Sequence, residues 1–232
     1  SQSAPLLYDL TSLQRDANSR FGFSARRTLQ AAQSLYEGKK AITYPRTNSR
    51  WLSGDLVPQL KPTAGTLVPI PDYERGARFV LGLDQLPLAR VVNDAKVDDH
   101  HAIIPTDIAH DVSAFTPDER RIFDLVAPRF LAAFHPPARY ARTTVITEVE
   151  GERFRTRGKV TLEAGWRGVY GVEVPDPAKQ DEDTEGEGEL PELKQGQEVR
   201  CAQAEAEAKE TKPPPRFTEA TLLSSMETAG KL

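Results

Sequence analysis

Apolar and polar positions follow two different periods along the chain, and the change falls after Pro136-Pro137. From residue 15 to residue 40 the period is helical. Gly22-Phe23-Ser24 interrupts it, and Ser24 is placed to cap a helix over residues 25–37, which Gly38 ends. On that helix Leu29, Ala32, Leu35 and Tyr36 share a face, while Arg26, Arg27 and Gln30 fall largely elsewhere. Two helices joined by a Gly-containing turn fit a helix-turn-helix arrangement, although such pairs also serve packing alone. Pro58, Pro62, Pro69 and Pro71 predict a loop-rich stretch. Thr116-Pro117-Asp118-Glu119 then opens a helix with a capping box, and Pro128 predicts a kink or break in it. Beyond residue 138 the period becomes alternating. Residues 140–149, 153–162 and 168–174 read as strands of a twisted antiparallel sheet, with 197–204 as a further candidate. Pro213-Pro214-Pro215 is a stiff spacer before a helix over 217–229.

With 38% hydrophobic and 28% charged residues over 232 positions, the chain can bury one or two ordinary cores. It has no apolar run long enough to span a membrane and no signal-peptide pattern, so a membrane role is not expected. Cys201 is the single cysteine, which excludes an internal disulfide framework and a multi-cysteine zinc site and suits a reduced, cytoplasmic setting. The net charge of −4 conceals an asymmetry. Residues 1–61 carry nine Lys/Arg against four Asp/Glu, whereas residues 176–210 carry four against twelve. A polyanion-facing region joined to a solvated acidic one follows, with residues 176–189 as an exposed acidic loop.

Three segments carry candidate chemistry. The first is Ala41-Ile42-Thr43-Tyr44-Pro45-Arg46-Thr47-Asn48-Ser49. A phenol titrates near about 10 and is a poor nucleophile at neutral pH. Cations that stabilise both the phenolate and a pentacoordinate phosphorus make it useful against a phosphodiester. Arg46 has the charge and the bidentate geometry for that task. Spacing alone favours a buried tyrosine beside a surface arginine. The second segment is Asp98-Asp99-His100-His101-Ala102-Ile103-Ile104-Pro105-Thr106. Neighbours on an extended chain point to opposite sides, so no metal site is expected here; a histidine contacting phosphate or the nucleophile region is expected instead, with a structural His100 as its competitor. In the third, Arg216 enters a helix N-terminus, a site for phosphate or an ordinary solvated cap.

The order and wording of these segments resemble the type IA DNA topoisomerases, especially the bacterial topoisomerase III branch. The matching pieces are PLLYDLTSLQRDANSRFGFSARRTLQAAQSLYEGKKAITYPRTNS, DDHHAIIPT and PPPRFTEATLLSSMETAG, with RTTVITEVEGERFRTRGKVTLEAGWRGVY similar to the family's returning β-domain. The resemblance implies an α+β fold, a mainly helical winged-helix-like tyrosine domain joined to an antiparallel β-domain. It divides the chain into residues 1–14, a strand entering the β hinge domain; 15–138, the catalytic-tyrosine domain; 139–210, the returning hinge with its acidic loop; and 211–232, the start of a single-strand groove domain. It implies that one DNA strand is cut and resealed through a 5′-phosphotyrosyl intermediate without ATP. Tyr44 matches the nucleophile, Arg46 the arginine that positions the scissile phosphate, His100 the first histidine of the HxAI-type motif, and Arg216 an arginine near the groove. Asn48 stands where many members carry aspartate.

No DxDxE motif occurs, so the chain is expected to be a central fragment, inactive alone. Its partners would be single-stranded DNA and a Toprim domain of the same polypeptide, which would bind the Mg²⁺, and the protein would be a monomer. The competing class is a non-catalytic winged-helix-like DNA-binding module. A small hydrolase built on His100 and an aspartate lacks a nucleophile.

Overall fold

The computed structural model describes residues 1–171, 190, 193–203, 205, 206, 208, 210, 211 and 213–229. The chain falls into two compact units, one of Ser1–Ala138, Ala164–Glu173 and Phe217–Leu232, the other of Arg139–Glu163 and Val174–Arg216. The first is helical and the second holds a two-stranded antiparallel sheet, so the α+β class is borne out.

Helix α1 (Leu10–Phe21) opens on a capping box between Asp9 and Ser12 and stops at Gly22, whose φ of 66° suits the residue without a Cβ. Helix α2 (Ala25–Glu37) is capped by Ser24, as the sequence predicts. Gly38 follows it in a right-handed conformation; the left-handed turn comes two residues later, at Lys40. Residues 1–14 are not a strand throughout. Gln2 and Tyr8 make isolated bridges to Ala138 and Ile103, and α1 begins at Leu10 because its cap is already in place.

The proline-rich stretch is helical, contrary to the predicted loop. Pro58 occupies the first turn of α3 (Val57–Leu67) and Pro71 the first turn of α4 (Pro71–Gly82), where the missing N–H has no intrahelical partner to lose. Pro62 lies within α3, whose Leu60, Ala64 and Leu67 are fully buried. Helix α5 (Pro117–Ala132) likewise runs through Pro128 without breaking. Ile122, Phe123, Val126, Ala127, Phe130 and Leu131 around it are all buried. Each large apolar side chain so buried contributes about 1.5–3 kcal/mol, which outweighs the cost of about 3 kcal/mol for one interior proline. Helix α6 (Glu219–Thr228) packs on α1 through Ala220 N–H to Asn18 Oδ1 at 3.1 Å and the Arg15–Glu227 pair.

The predicted capping box of α5 is present. Thr116 Oγ1 accepts from Glu119 N at 3.2 Å, and Glu119 Oε2 accepts from Thr116 N at 2.7 Å. Ser34 on α2 donates to the other Glu119 oxygen at 2.5 Å, so the cap also joins two helices. Burial pushes the Glu119 carboxyl up, but the hydrogen bonds from Ser34 and Thr116 outweigh it and hold the group below its ordinary range. Thr116→Ala is expected to cost about 1 kcal/mol, a fall in Tm of roughly 2–4 °C by thermal denaturation, with Thr116→Ser close to wild type.

In the second unit β1 (Arg139–Val149) pairs with β2 (Glu152–Glu163) across a two-residue turn. Glu150 and Gly151 both have positive φ, 51° and 84°, the signature of the primed turns that match strand twist. The strand predicted over 168–174 is instead a 3₁₀ helix at Gly165–Tyr170, and residues 172–174 lie outside the described residues. Gly165 dictates this. At its φ of 53° a Cβ would stand 2.5 Å from the carbonyl oxygens of Pro136 and Pro137, so only glycine lets the backbone approach and coil there. Among the described residues of 197–204 there is no strand, and the acidic loop 176–189 lies outside the described residues.

Candidate active site

The tyrosine segment runs extended beside the histidine segment. Thr43 N donates to Ile104 O at 2.9 Å, Thr106 N donates to Ala41 O at 3.1 Å, and Ile42 bridges Pro105. Thr43 Oγ1 reinforces the pairing, donating to Ala102 O and accepting from Ile104 N. Two further segments hold the histidine side: Tyr8 O accepts from Ile103 N at 2.8 Å, and Trp51 O accepts from Ala102 N at 2.9 Å. Four stretches distant in sequence therefore fix one short ribbon.

Tyr44 is half-buried at its edge, and His100 is exposed. Their ring centroids are 4.3 Å apart and tilted by 48°. Tyr36, from the last turn of α2, meets the other side of Tyr44 edge-on at 5.4 Å. Rings hold the phenol, and its hydroxyl has no hydrogen-bond partner among the described residues. Arg46 is exposed, with Nη2 donating to Gln33 Oε1 at 3.1 Å. Thr47 is buried and donates to His100 O at 2.8 Å while accepting from Ser49 N at 3.0 Å. Thr47 O also accepts from Leu10 N, which ties the segment to the start of α1. Ser49 Oγ donates to Lys96 O at 2.8 Å. Asn48 donates to Asp98 Oδ2 at 3.3 Å, a contact that an aspartate at this position would turn into a repulsion.

Of the residues singled out in the sequence, the structure brings Tyr44 and His100 into contact and leaves Arg46 two residues along the same ribbon. Arg216 is exposed in the extended segment before α6 and is grouped with the second unit. Sequence reasoning missed Tyr36, Gln33, Thr47 and Ser49. Thr47 and Ser49 stood inside the quoted motif, and their short polar side chains within an extended segment were the available signal. Among the described residues no three His, Cys, Asp or Glu side chains converge as a metal site. A largely apolar cavity of about 610 Å³ lies elsewhere in the first unit, between Leu7, Phe79, Leu88 and Phe134.

A phenol held by rings beside an imidazole, with a guanidinium close along the chain, suits attack on a phosphodiester. A family model described as DNA topoisomerase matches residues 1–230. The chain belongs to the DNA topoisomerase family. Among curated relatives of this topoisomerase chain, DNA topoisomerase 3 of Bacillus licheniformis is 47% identical over 225 residues, covering 97% of this chain and 30% of that protein. The enzyme of the same name from Bacillus subtilis is 45% identical over 229 residues, with the same coverage. Both bear out the resemblance to topoisomerase III. Among solved structures, full-length topoisomerase I from Thermotoga maritima matches 99% of this chain and 36% of its own, with a TM-score of 0.62 and 25% identity. The chain thus spans about 30% of the length of the curated relatives it matches.

Proposed function

We propose that this chain carries the nucleophile of a type IA topoisomerase, with single-stranded DNA as its substrate. Tyr44 Oη attacks phosphorus, the P–O3′ bond breaks, and the proton given up by the phenol ends on O3′, which leaves as a 3′-hydroxyl. The DNA 5′-phosphate is then an ester of Tyr44, and the reverse attack by the 3′-hydroxyl reseals the strand. One phosphodiester replaces another, so no nucleotide is consumed. The single observation behind this reading is the Tyr44 ring fixed between Tyr36 and His100 with its hydroxyl free among the described residues.

Arg46 supplies positive charge, and its guanidinium suits two oxygens of the scissile phosphate. His100 faces the nucleophile and contacts phosphate or the phenol oxygen. Arg216 adds a phosphate contact on the strand. Mg²⁺ is proposed to be held by a Toprim part of the same protein outside this chain, so that the chain alone does not complete cleavage. A monomer working in the cytoplasm completes the proposal.

The test is an adduct map. In a topoisomerase carrying this chain, a labelled single-stranded oligonucleotide with Mg²⁺ is quenched by denaturant and digested with protease. The expected product is one nucleotide-bearing peptide that contains Tyr44. DNA binding with no adduct anywhere would favour the non-catalytic DNA-binding module instead.

A further inference from the structure

The β1–β2 hairpin divides its side chains unequally between two faces. Directly opposed residues share a face, and alternate positions along each strand return to it. The pairs Tyr140↔Thr161, Arg142↔Lys159, Thr144↔Arg157, Ile146↔Arg155 and Glu148↔Arg153 therefore lie on one side. That side carries five cations and one carboxylate. The opposite side holds Ala141, Thr143, Val145, Thr147 and Val149 against Val160, Gly158, Thr156, Phe154 and Glu152; Arg139, which alternates with them at the irregular start of β1, is paired with Glu163 at 2.7 Å. Glu148 offsets Arg153 at 3.3 Å, and the Lys159 ammonium sits 4.5 Å from the centre of the Tyr140 ring. The side chains of Arg142, Arg155 and Arg157 are exposed and have no ion pair or hydrogen bond among the described residues.

From this charge pattern we infer that the cationic face of the hairpin is a docking surface for the phosphate backbone of duplex DNA, separate from the residues that hold Tyr44. From Arg153 to Lys159 the cations span about 20 Å, at about 3.4 Å per residue, and Arg142 adds a second row one strand away. A two-stranded ribbon has the width that the major groove of B-DNA admits. Single-strand binders instead offer aromatic platforms on which bases stack. Here the one aromatic ring on the cationic face, Tyr140, is covered by Lys159, and Phe154 lies on the other face. The face is built for phosphates, and the proposal does not depend on the tyrosine chemistry.

The test measures affinity for a blunt duplex without single-stranded ends, over a range of salt, in a topoisomerase carrying this chain. Each phosphate contact adds about 0.9 to the slope of log K against log salt. The triple variant Arg142→Gln, Arg155→Gln, Arg157→Gln is expected to lower that slope by about 2.7 and to weaken duplex binding more than tenfold near 0.1 M salt, roughly as three lost contacts require. The corresponding triple lysine variant keeps the charges and should keep the slope. Thr143→Gln with Thr156→Gln, on the other face, should leave it unchanged. Thermal melting shows that each variant is folded. An unchanged slope in the folded glutamine variant overturns the proposal, as does an equal loss in the lysine variant or a loss confined to single-stranded DNA. Absence of a Tyr44 adduct would not touch it, since the readout is duplex binding alone.

Discussion

Tyr44→Phe is expected to abolish the covalent protein–DNA adduct, a loss of at least about 10⁴-fold, while single-strand binding stays within about twofold of wild type. The substitution removes one oxygen. The ring contacts with His100 and Tyr36 need no hydroxyl, so the aromatic stack that orients the side chain persists. Because that hydroxyl bonds to nothing among the described residues, its loss leaves no stranded partner, and Tm should move by no more than about 1 °C. The nearby alcohols cannot stand in. Thr43, Thr47 and Ser49 each spend their hydroxyl hydrogen on a backbone carbonyl, and aliphatic alcohols lack the acidity of a phenol. Quantifying the trapped adduct on denaturing gels checks the expectation, and an adduct yield above about 1% of wild type would place the nucleophile elsewhere.

The second large effect belongs to Arg129, the buried cation of α5. Its Nη2 donates to Asp16 Oδ2 at 2.6 Å and to Tyr8 Oη at 2.7 Å, and its Nη1 donates to Leu6 O at 3.1 Å. Tyr8 in turn donates to Asp16 at 2.5 Å. Burial pushes the Tyr8 phenol well up, so it stays protonated and remains a donor. Removing one member of a buried ion pair costs about 3–5 kcal/mol. The Arg129 side chain is 9% exposed but that of Asp16 is 35%, and water softens what the orphaned carboxylate suffers. Arg129→Ala should therefore cost about 3 kcal/mol, or roughly 6–12 °C in Tm, by calorimetry or circular dichroism. Asp16→Asn, which keeps an acceptor, should cost less than half of that. A shift below about 2 °C for Arg129→Ala would mean that the network contributes packing and little else. The damage would not stay local, because Tyr8 is the residue whose carbonyl holds Ile103 in the histidine ribbon.

Local signals in the sequence served well where one residue decides the outcome. Ser24 and the Thr116–Glu119 box mark helix starts because their side chains answer orphan N–H groups, which is a property of a few adjacent residues. The two strands of the hairpin were legible for the same reason, through alternation over ten positions. Prolines misled, since Pro58 and Pro71 sit where a helix tolerates them and Pro62 and Pro128 are carried by burial that only the tertiary structure reveals. Residues 168–174 read as a strand, but the contact between Gly165 and Pro136-Pro137 that favours a coil just before them spans almost thirty residues. Tyr44 and His100 could each be picked out from their motifs. A histidine near the nucleophile was expected, but not the ring-to-ring geometry, because the pairing of Thr43 with Ile104 joins segments about sixty residues apart.

The close approach at Gly165 bears on how this architecture can vary. The chain leaves the helical unit just after Ala138 and rejoins it at Ala164, and both ends are sewn to the same spot: Ala138 exchanges hydrogen bonds with Gln2, Trp166 N–H donates to Pro136 O, and the Trp166 indole donates to Gln2 O. Departure and return are thus neighbours, and the intervening ribbon is an excursion from a seam that closes without it. Tandem lengthening of the strands in register pairs, or their replacement by another hairpin, leaves that seam's own hydrogen bonds intact. Evolution can retune reach and charge on that arm while the tyrosine and histidine segments keep their geometry, and a protein engineer can graft there for the same reason.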